Sequence, residues 1–511
     1  MKQKSNTFSL RSILFCVVFS LGMYAQHPAA VEQNLKKAGS NRAELEKAIL
    51  YCKNSDDPQK LKAIYFLIAN MDIHSSSDYY WENEAGNRIV YNELDYPNFD
   101  EAAKAFEAVK LQNPNLHPKA ITYSDLETIK GDYLINNLDN AFKSWRVSAV
   151  KNISFDDFCE YILPYRISVE PIQDWRTTYN SKFSWISDKI ETIGLEASLP
   201  YVSDEANSWF TNTWNSGGRK EPLPRLGSMQ LLLRKQGPCE DLADLGVFTM
   251  RSIGIPATAD FVPYWGTTRG GHAMNTFFDS NNKAIHFDYG TKEYNEKLRR
   301  EPAKVLRLTY SKQNQTLASF EEQNNIPKGY LREQNYIDVT QEYWNTRNVK
   351  CSLYLNPKPL KTVYACTFSG LKWQPFWWAK VLKNEAQFNQ ICQGTVVLPQ
   401  YYSNGKMIPA SAPILVGDTE TRILTPDLNQ LQDLTISSVA NYLILKPNVI
   451  YKLLYWNDKW QLIDTITATE TTESLLFHKV PKNALLLLIA SDSKGLERPF
   501  IVSEQGERTW Y

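Results

Sequence analysis

The sequence lacks an excess of charge of either sign: 56 Lys and Arg face 56 Asp and Glu over 511 residues. That balance gives no electrostatic reason to expect nucleic acid or an anionic membrane as a partner. Long apolar runs are missing beyond one stretch near the start, so no transmembrane segment is expected in the mature chain. Histidine is scarce, and the six residues are scattered. No CxxC, no Cys–His zinc spacing and no acidic loop of the EF-hand kind occurs, so neither a metal nor a cofactor is expected. A metal-dependent hydrolase would need clustered ligands that this chain does not offer. No short-period repeat stands out.

The first residues read as a secretion signal, assigned to 1–25. Lys2, Lys4 and Arg11 form a basic start, Ile13 to Met23 is apolar, and polarity returns at Gln26 after Tyr24-Ala25. The apolar run is too short to span a bilayer. Cys16 lies within it and is not placed for lipid attachment. An exported chain is therefore expected, periplasmic, surface-associated or secreted. It would keep Cys52, Cys159, Cys239, Cys351, Cys366 and Cys392. If Cys239 stays free, an odd number remains. Cys52 with Cys159, and one pair among the last three, are the candidate disulfides.

What the sequence does have is concentrated between Gly237 and Gly290. Gly237-Pro238 interrupts the chain before Cys239. Leu242, Leu245, Phe248 and Ser252 then recur at helical spacing, and Gly254 and Pro256 stop the helix. Cys239 is thus expected at a helix N-terminus, where unpaired N–H groups and the dipole favour a thiolate. Glu240 and Asp241 suit the dipole as well, but their charge opposes thiolate formation. Beyond the helix, Ala257 to Val262 reads as a strand, Tyr264 to Gly271 as a loop, and Ala273 to Phe278 as a second strand. Asp279 to Asn282 is a turn, and Lys283 to Asp288 returns. Pairing around that turn sets His272 beside Asp288 within about one residue of register. A carboxylate beside an imidazole fixes its tautomer and stabilises its charge, leaving the other ring nitrogen for the Cys239 proton. Alternatives remain at this level. Asp279 is a second carboxylate, His286 a second imidazole that spacing leaves open, and Asn275 an amide that would be an awkward partner. A buried Cys of purely structural use is the plain alternative for Cys239.

The order and spacing of these blocks resemble the transglutaminase-like superfamily, with its papain-like Cys-His-Asp fold. The blocks are Cys239 with Glu240-Asp241, Arg251-Ser252-Ile253-Gly254-Ile255-Pro256-Ala257, Gly271-His272-Ala273-Met274-Asn275, and Phe287-Asp288. Met274 departs from the aromatic usual there, and Tyr289-Gly290 from the usual pair after the Asp. The resemblance implies Cys239 as nucleophile, His272 as general base and acid, and Asp288 as orienting carboxylate, in an exported bacterial-type multidomain member.

The expected architecture is multidomain α+β. A helical N-terminal region covers 26–195, with helices near Ala43–Cys52, Gln59–Asn70, Asp100–Leu111 and Tyr123–Asn137. The transglutaminase-like core covers 196–310, and β-sandwich-like modules cover 335–430 and 431–511. Asn404-Gly405 and Asn457-Asp458 read as hairpin turns in those modules. Candidate substrate-binding residues are Trp209 and Trp214 on a helix from Ser203 to Asn215, Gln236 as the nearest side-chain amide for a second oxyanion donor, and Arg166 in an aromatic-rich brace, Phe155 to Arg176. Each also suits ordinary packing. Trp373, Phe376, Trp377 and Trp378 are the candidate glycan or peptide platform, with sandwich core as the alternative. The expected activity is acyl transfer through a Cys239 thioester, with hydrolysis of an amide in a peptide, glycopeptide or cell-wall substrate favoured over transfer to an amine. The alternative is a non-catalytic module binding peptide or glycan through the core and the aromatic-rich sandwiches.

Overall fold

The computed structural model describes residues 27–213, 223–289, 293–355, 360–439, 443–504 and 506–511. The expected signal peptide and Trp214 lie outside the described residues. The protein is multidomain α+β, with a helical N-terminal part, an α+β core and antiparallel sheets toward the C-terminus.

Helices Arg42–Lys53, Pro58–Asn70 and Gly131–Arg146 pack around one apolar core with Ala29–Lys37. Pro58–Asn70 shows why they form. The Asp57 side chain accepts from the Gln59 N–H, proline occupies the first turn, and Ala63, Ile64, Leu67 and Ile68 bury one face. The expected helix Tyr123–Asn137 is divided. Its first residues end a strand, His117–Ser124, a single turn covers Asp125–Thr128, and the helix starts at Gly131. That strand pairs with Ser75–Glu82, which also pairs with Arg88–Ile89. This three-stranded sheet was not expected, because its strands are mostly half-buried or exposed and carry no apolar alternation.

The core is built on the helix Cys239–Ser252, buried along its length from Asp241 onward. Helix Arg176–Phe183 packs on it, and a six-stranded antiparallel sheet covers another side. The central strands of that sheet are Ala257–Val262, His272–Phe278 and Ala284–Asp288. Leu306–Leu308 and Tyr336–Asp338 extend one edge and Glu293–Tyr294 the other. The helix expected from Ser203 to Asn215 starts earlier and ends earlier, as Leu195–Trp209.

The brace before the core is made of buried arginines. Arg166 pairs with Asp125 (Nε to Oδ2 2.6 Å) and donates to Ser76 Oγ and the Ser75 and Ser168 carbonyls. Arg176 donates to the carbonyls of Ile162, Leu163 and Arg251. Arg251 in turn reaches those of Tyr161, Arg166 and Ala257. Otherwise unpaired carbonyls of an irregular segment are satisfied in this way.

Each C-terminal module closes two sheets on one apolar core. In the first, Thr346–Ser352 and Glu385–Cys392 face a sheet around Thr362–Ser369 and Thr395–Ser403. In the second, Asp427–Ser437 and Ser474–Lys482 face a sheet centred on Ile450–Asn457 and Leu486–Ala490. Asn404, Gly405 and Asp458 take positive φ in their hairpins. Phe368, Trp373, Trp456 and Trp460 form a closed circuit of edge-to-face rings with centroids 5.2–5.6 Å apart, joining the two modules. Phe376 is core, and Trp377 packs under the Lys304 ammonium, 4.3 Å from its centroid. Trp373, Phe376 and Trp377 are thereby engaged within the protein. All six described cysteines are free, so neither expected disulfide forms; Cys52, Cys159, Cys351, Cys366 and Cys392 are each buried singly as small apolar side chains.

Asp125→Ala leaves the Arg166 guanidinium buried without its counter-charge. The expected loss is about 3–5 kcal/mol, read from chemical unfolding of the whole chain.

Candidate active site

Cys239 is the first residue of the central helix. Pro238 precedes it in extended conformation, and the Asp241 and Leu242 N–H groups turn back onto the Pro238 carbonyl. The N–H groups of Cys239 and Glu240 therefore come before the first helical bond, where a helix offers donors and positive potential. Gln236–Gly237 pairs in parallel with Thr211–Asn212 and fixes the approach to the helix.

Toward its N-terminal half the helix is held on the sheet by a polar contact and a close approach; at its other end Arg251 donates to the Ala257 carbonyl. Asn275 Nδ2 donates to the Ala243 carbonyl at 2.8 Å. At Gly246 an added Cβ would come within 2.5 Å of the Tyr289 ring and 2.7 Å of Asn275 Oδ1, so only glycine lets the helix lie this close. His272 starts its strand directly after Gly271, where a Cβ would meet the Val262 carbonyl at 2.3 Å.

His272 Nε2 and Asp288 Oδ2 are 2.7 Å apart. The ladder between their strands runs Phe278↔Ala284 to Asn275↔Phe287, one residue off the pairing expected from the turn. Continuing it sets Asp288 across from Met274, so the carboxylate reaches His272 diagonally. The Cys239 sulfur is near enough to the same ring to support its charge by hydrogen bonding. Burial works against an imidazolium here, and the bonds to Asp288 and Cys239 outweigh it, raising the His272 pKa to about 10. With Nε2 held by Asp288, Nδ1 is the nitrogen left for exchange with sulfur. The thiol also donates to Glu240 Oε2 at 3.5 Å, so a carboxylate and an imidazole both address Cys239.

The competing groups have other partners. Asp279 accepts from the N–H groups of Asn281 and Lys283 and shapes the turn. Asn275 is turned to the helix. His286 lies against Tyr343, Thr276 and Glu342, beside the ion pair of Asp260 with Arg307. Arg166, a candidate for the substrate cleft, is instead buried in the brace (2% exposed). Trp209 is half-buried on the core beneath Lys182, whose ammonium is 4.7 Å from its ring centroid, and its Nε1 has no hydrogen-bond partner among the described residues. Gln236 is half-buried in its short parallel pair. The sequence reading missed Trp265, whose ring lies roughly parallel to His272 (22°) with centroids 6.1 Å apart. Its place in a loop seven residues before a histidine gave no periodic signal. Among the described residues no group of three or more His, Cys, Asp or Glu side chains is arranged to hold a metal ion.

Cys239 is the one described cysteine that is not buried. Burial pushes the thiols of Cys52 and Cys159 up to about 12 and that of Cys351 to about 11, and drives Cys366 and Cys392 higher still. Iodoacetamide on native protein near neutral pH is expected to label Cys239 and spare those five until the chain unfolds, as peptide mass mapping would show. A second expectation concerns stability. The His272 pKa is raised in the folded state, so its contribution is fully present below its ordinary value near 6.5 and is lost as pH rises through about 10. His272→Ala should flatten the fall in unfolding free energy across that window.

Residues 199–289 match the family described as Transglutaminase-like superfamily. No curated protein matches the sequence at a significant level. Among solved structures, the chain is similar to red sea bream transglutaminase, with 10% identity over 87% of this chain and 78% of that one and a TM-score of 0.22, too low to argue from. The family match spans the helix before Cys239, the central helix and both strands that carry His272 and Asp288. The core of this chain, residues 199–289, belongs to the transglutaminase-like superfamily.

Proposed function

We propose that the protein is an exported thiol acyl-transfer enzyme that hydrolyses an amide bond in a peptide, glycopeptide or cell-wall fragment. The observation that carries this reading is the His272–Asp288 bond of 2.7 Å on a ring that the Cys239 sulfur also addresses. In the first step the Cys239 thiolate attacks the amide carbon, and the carbonyl oxygen gains the negative charge. The backbone N–H of Cys239, at the open helix start, suits that oxyanion. His272 gives its proton to the leaving amine, the C–N bond breaks, and a thioester remains. Water then attacks the thioester while His272 takes its proton; the acid leaves and the thiolate returns. Asp288 keeps the imidazole oriented and its charge stabilised in both steps.

The alternative, a core retained only to bind peptide or glycan, differs in one measurable respect. A binding module has no need of a reactive thiol. Wild type and Cys239→Ser, incubated with glycopeptides, peptides and cell-wall fragments, separate the two. Wild type should give products heavier by one water in total, and Cys239→Ser none. His272→Ala should lower the rate by about 10²–10⁴-fold. Product masses showing a new amide would identify an amine acceptor. No turnover on any class, with Cys239 no more reactive than a free thiol, would sink the enzyme reading.

A further inference from the structure

The first C-terminal module carries a cleft that none of the residues around Cys239 lines. Its volume is about 570 Å³, within the range of roughly 300–1,000 Å³ that small-molecule sites occupy. The floor is the sheet around Thr362–Ser369, where the buried Tyr364 ring meets Tyr402 edge-on with centroids 6.3 Å apart. One wall is the segment between Leu306–Leu308 and Tyr336–Asp338, which leads from the core into the module. On that wall Phe320 is 47% exposed and stands edge-to-face on Trp378, centroids 5.0 Å apart. The Lys380 ammonium lies 4.6 Å from the Phe320 ring centroid.

The backbone of the cleft is paired within the protein. Thr362–Ser369 has a neighbour on each side, Lys372–Lys380 and Thr395–Ser403, and Tyr402 lies opposite Met407 in a further ladder. The Val381 N–H donates to the Lys361 carbonyl at 2.8 Å, Leu382 and Glu385 exchange bonds, and the Tyr364 hydroxyl donates to the Asn325 carbonyl at 2.7 Å. Side chains keep spare capacity. Glu321 Oε1 accepts from Asn325 Nδ2 at 2.9 Å and from the Glu322 N–H at 3.2 Å, and Oε2 accepts from Thr362 Oγ1 at 2.8 Å. A carboxylate oxygen takes two bonds, so Oε2 has room for another donor. Among the described residues neither the Lys361 nor the Lys380 ammonium closes a salt bridge: the first attracts Glu321 through space, and the second lies on the Phe320 ring.

We propose that this cleft binds a neutral oligosaccharide. A pyranose has an apolar C–H face and a rim of hydroxyls, and the cleft sets the flat rings of Phe320 and Tyr402 beside charged side chains that suit such a rim. Each sugar hydroxyl both donates and accepts; Glu321 and Glu322 accept, and Lys361 and Lys380 donate. The two carboxylates balance the two ammoniums, so the cleft has no net charge to draw an ionic ligand. An extended peptide would need main-chain partners, and the backbone groups of the cleft are already paired. The inference goes beyond the acyl-transfer reading and does not rest on it. Where both hold, the cleft keeps a glycosylated substrate on a module that Tyr330 ties to the core. The Tyr330 ring meets Phe261 of the strand Ala257–Val262 edge-to-face at 5.8 Å, and its hydroxyl donates to the Phe376 carbonyl.

The test is an array of neutral and acidic oligosaccharides probed with the full chain as Cys239→Ser, so that nothing is turned over, followed by calorimetric titration of the best-bound saccharide. Neutral oligosaccharides should bind best. On the same background Phe320→Ala should weaken binding about ten-fold, and Lys380→Ala about three-fold or more. Both side chains are exposed, so thermal unfolding should barely move. Phe320→Tyr, which keeps a ring, should bind like its parent. If Phe320→Ala does not fold, Lys380→Ala and Phe320→Tyr carry the test. No bound saccharide, a preference for acidic ones, or binding that both alanine variants leave unchanged overturns the inference. Each of these results leaves the enzyme reading standing, because labelling and turnover at Cys239 are measured separately. A bound neutral saccharide with no turnover by wild type would support the cleft and sink the enzyme.

Discussion

The geometry of the candidate site depends on one docking region, where the central helix meets the sheet at Asn275, Tyr289 and Gly246. The Asn275 amide fixes the helix by the Ala243 carbonyl, and the bare Gly246 backbone lets the axis approach. From Ala243 to Cys239 is four residues, about 6 Å of helix. From Asn275 to His272 is three residues, about 10 Å of strand. Both distances are short and rigid, so a contact made in the core determines where sulfur and imidazole end. A looser helix would carry the sulfur away from the ring at little cost elsewhere, because Cys239 itself is only half-buried.

Electrostatics at the helix start are mixed rather than uniformly favourable to a thiolate. Glu240 accepts from the thiol, and Asp241 sits buried one residue further on. Both acids suit the helix dipole, and both oppose negative sulfur. Two cations offset them: the imidazolium of His272, held beside Asp288, and the buried guanidinium of Arg225, which pairs with Asp244 at 3.6 Å and is drawn to Glu240 and Asp241. The helix start offers open N–H donors and the histidine offers the counter-charge. Asp288 is therefore needed for the charge state of the ring as well as for its orientation.

Around this site the protein uses buried cations as mortar. Arg166, Arg176, Arg251 and Lys304 meet backbone carbonyls of irregular segments, and two of them add a carboxylate, Asp125 for Arg166 and Asp338 for Lys304. A planar fork with five donors satisfies carbonyls that no helix or ladder reaches. The same economy explains the aromatic residues in the C-terminal half. Of the rings that sequence reading offers as a ligand platform, Trp373 lies at the seam where edge-to-face packing joins two sandwiches, Phe376 fills the first module's core and Trp377 lies against Lys304.

The sequence by itself determined what depends on near neighbours. Helical spacing after Pro238, the Gly254–Pro256 stop, the Asp279–Asn282 turn and the two hairpin turns are all short-range, and the elements form at those places. The order and spacing of the four motif blocks also pointed to the family that the core matches. Only the tertiary structure decided between residues of like chemistry. His272 rather than His286 meets Asp288, and Asp279 is held by its own turn, because pairing register and diagonal reach select partners that spacing alone leaves equal. The same holds for Arg166, which burial takes from the cleft to Asp125, and for the cysteines, which remain single because their partners are not brought to bonding distance. Local propensity acts over a few residues, whereas which side chains face one another is set by contacts between segments far apart in the chain.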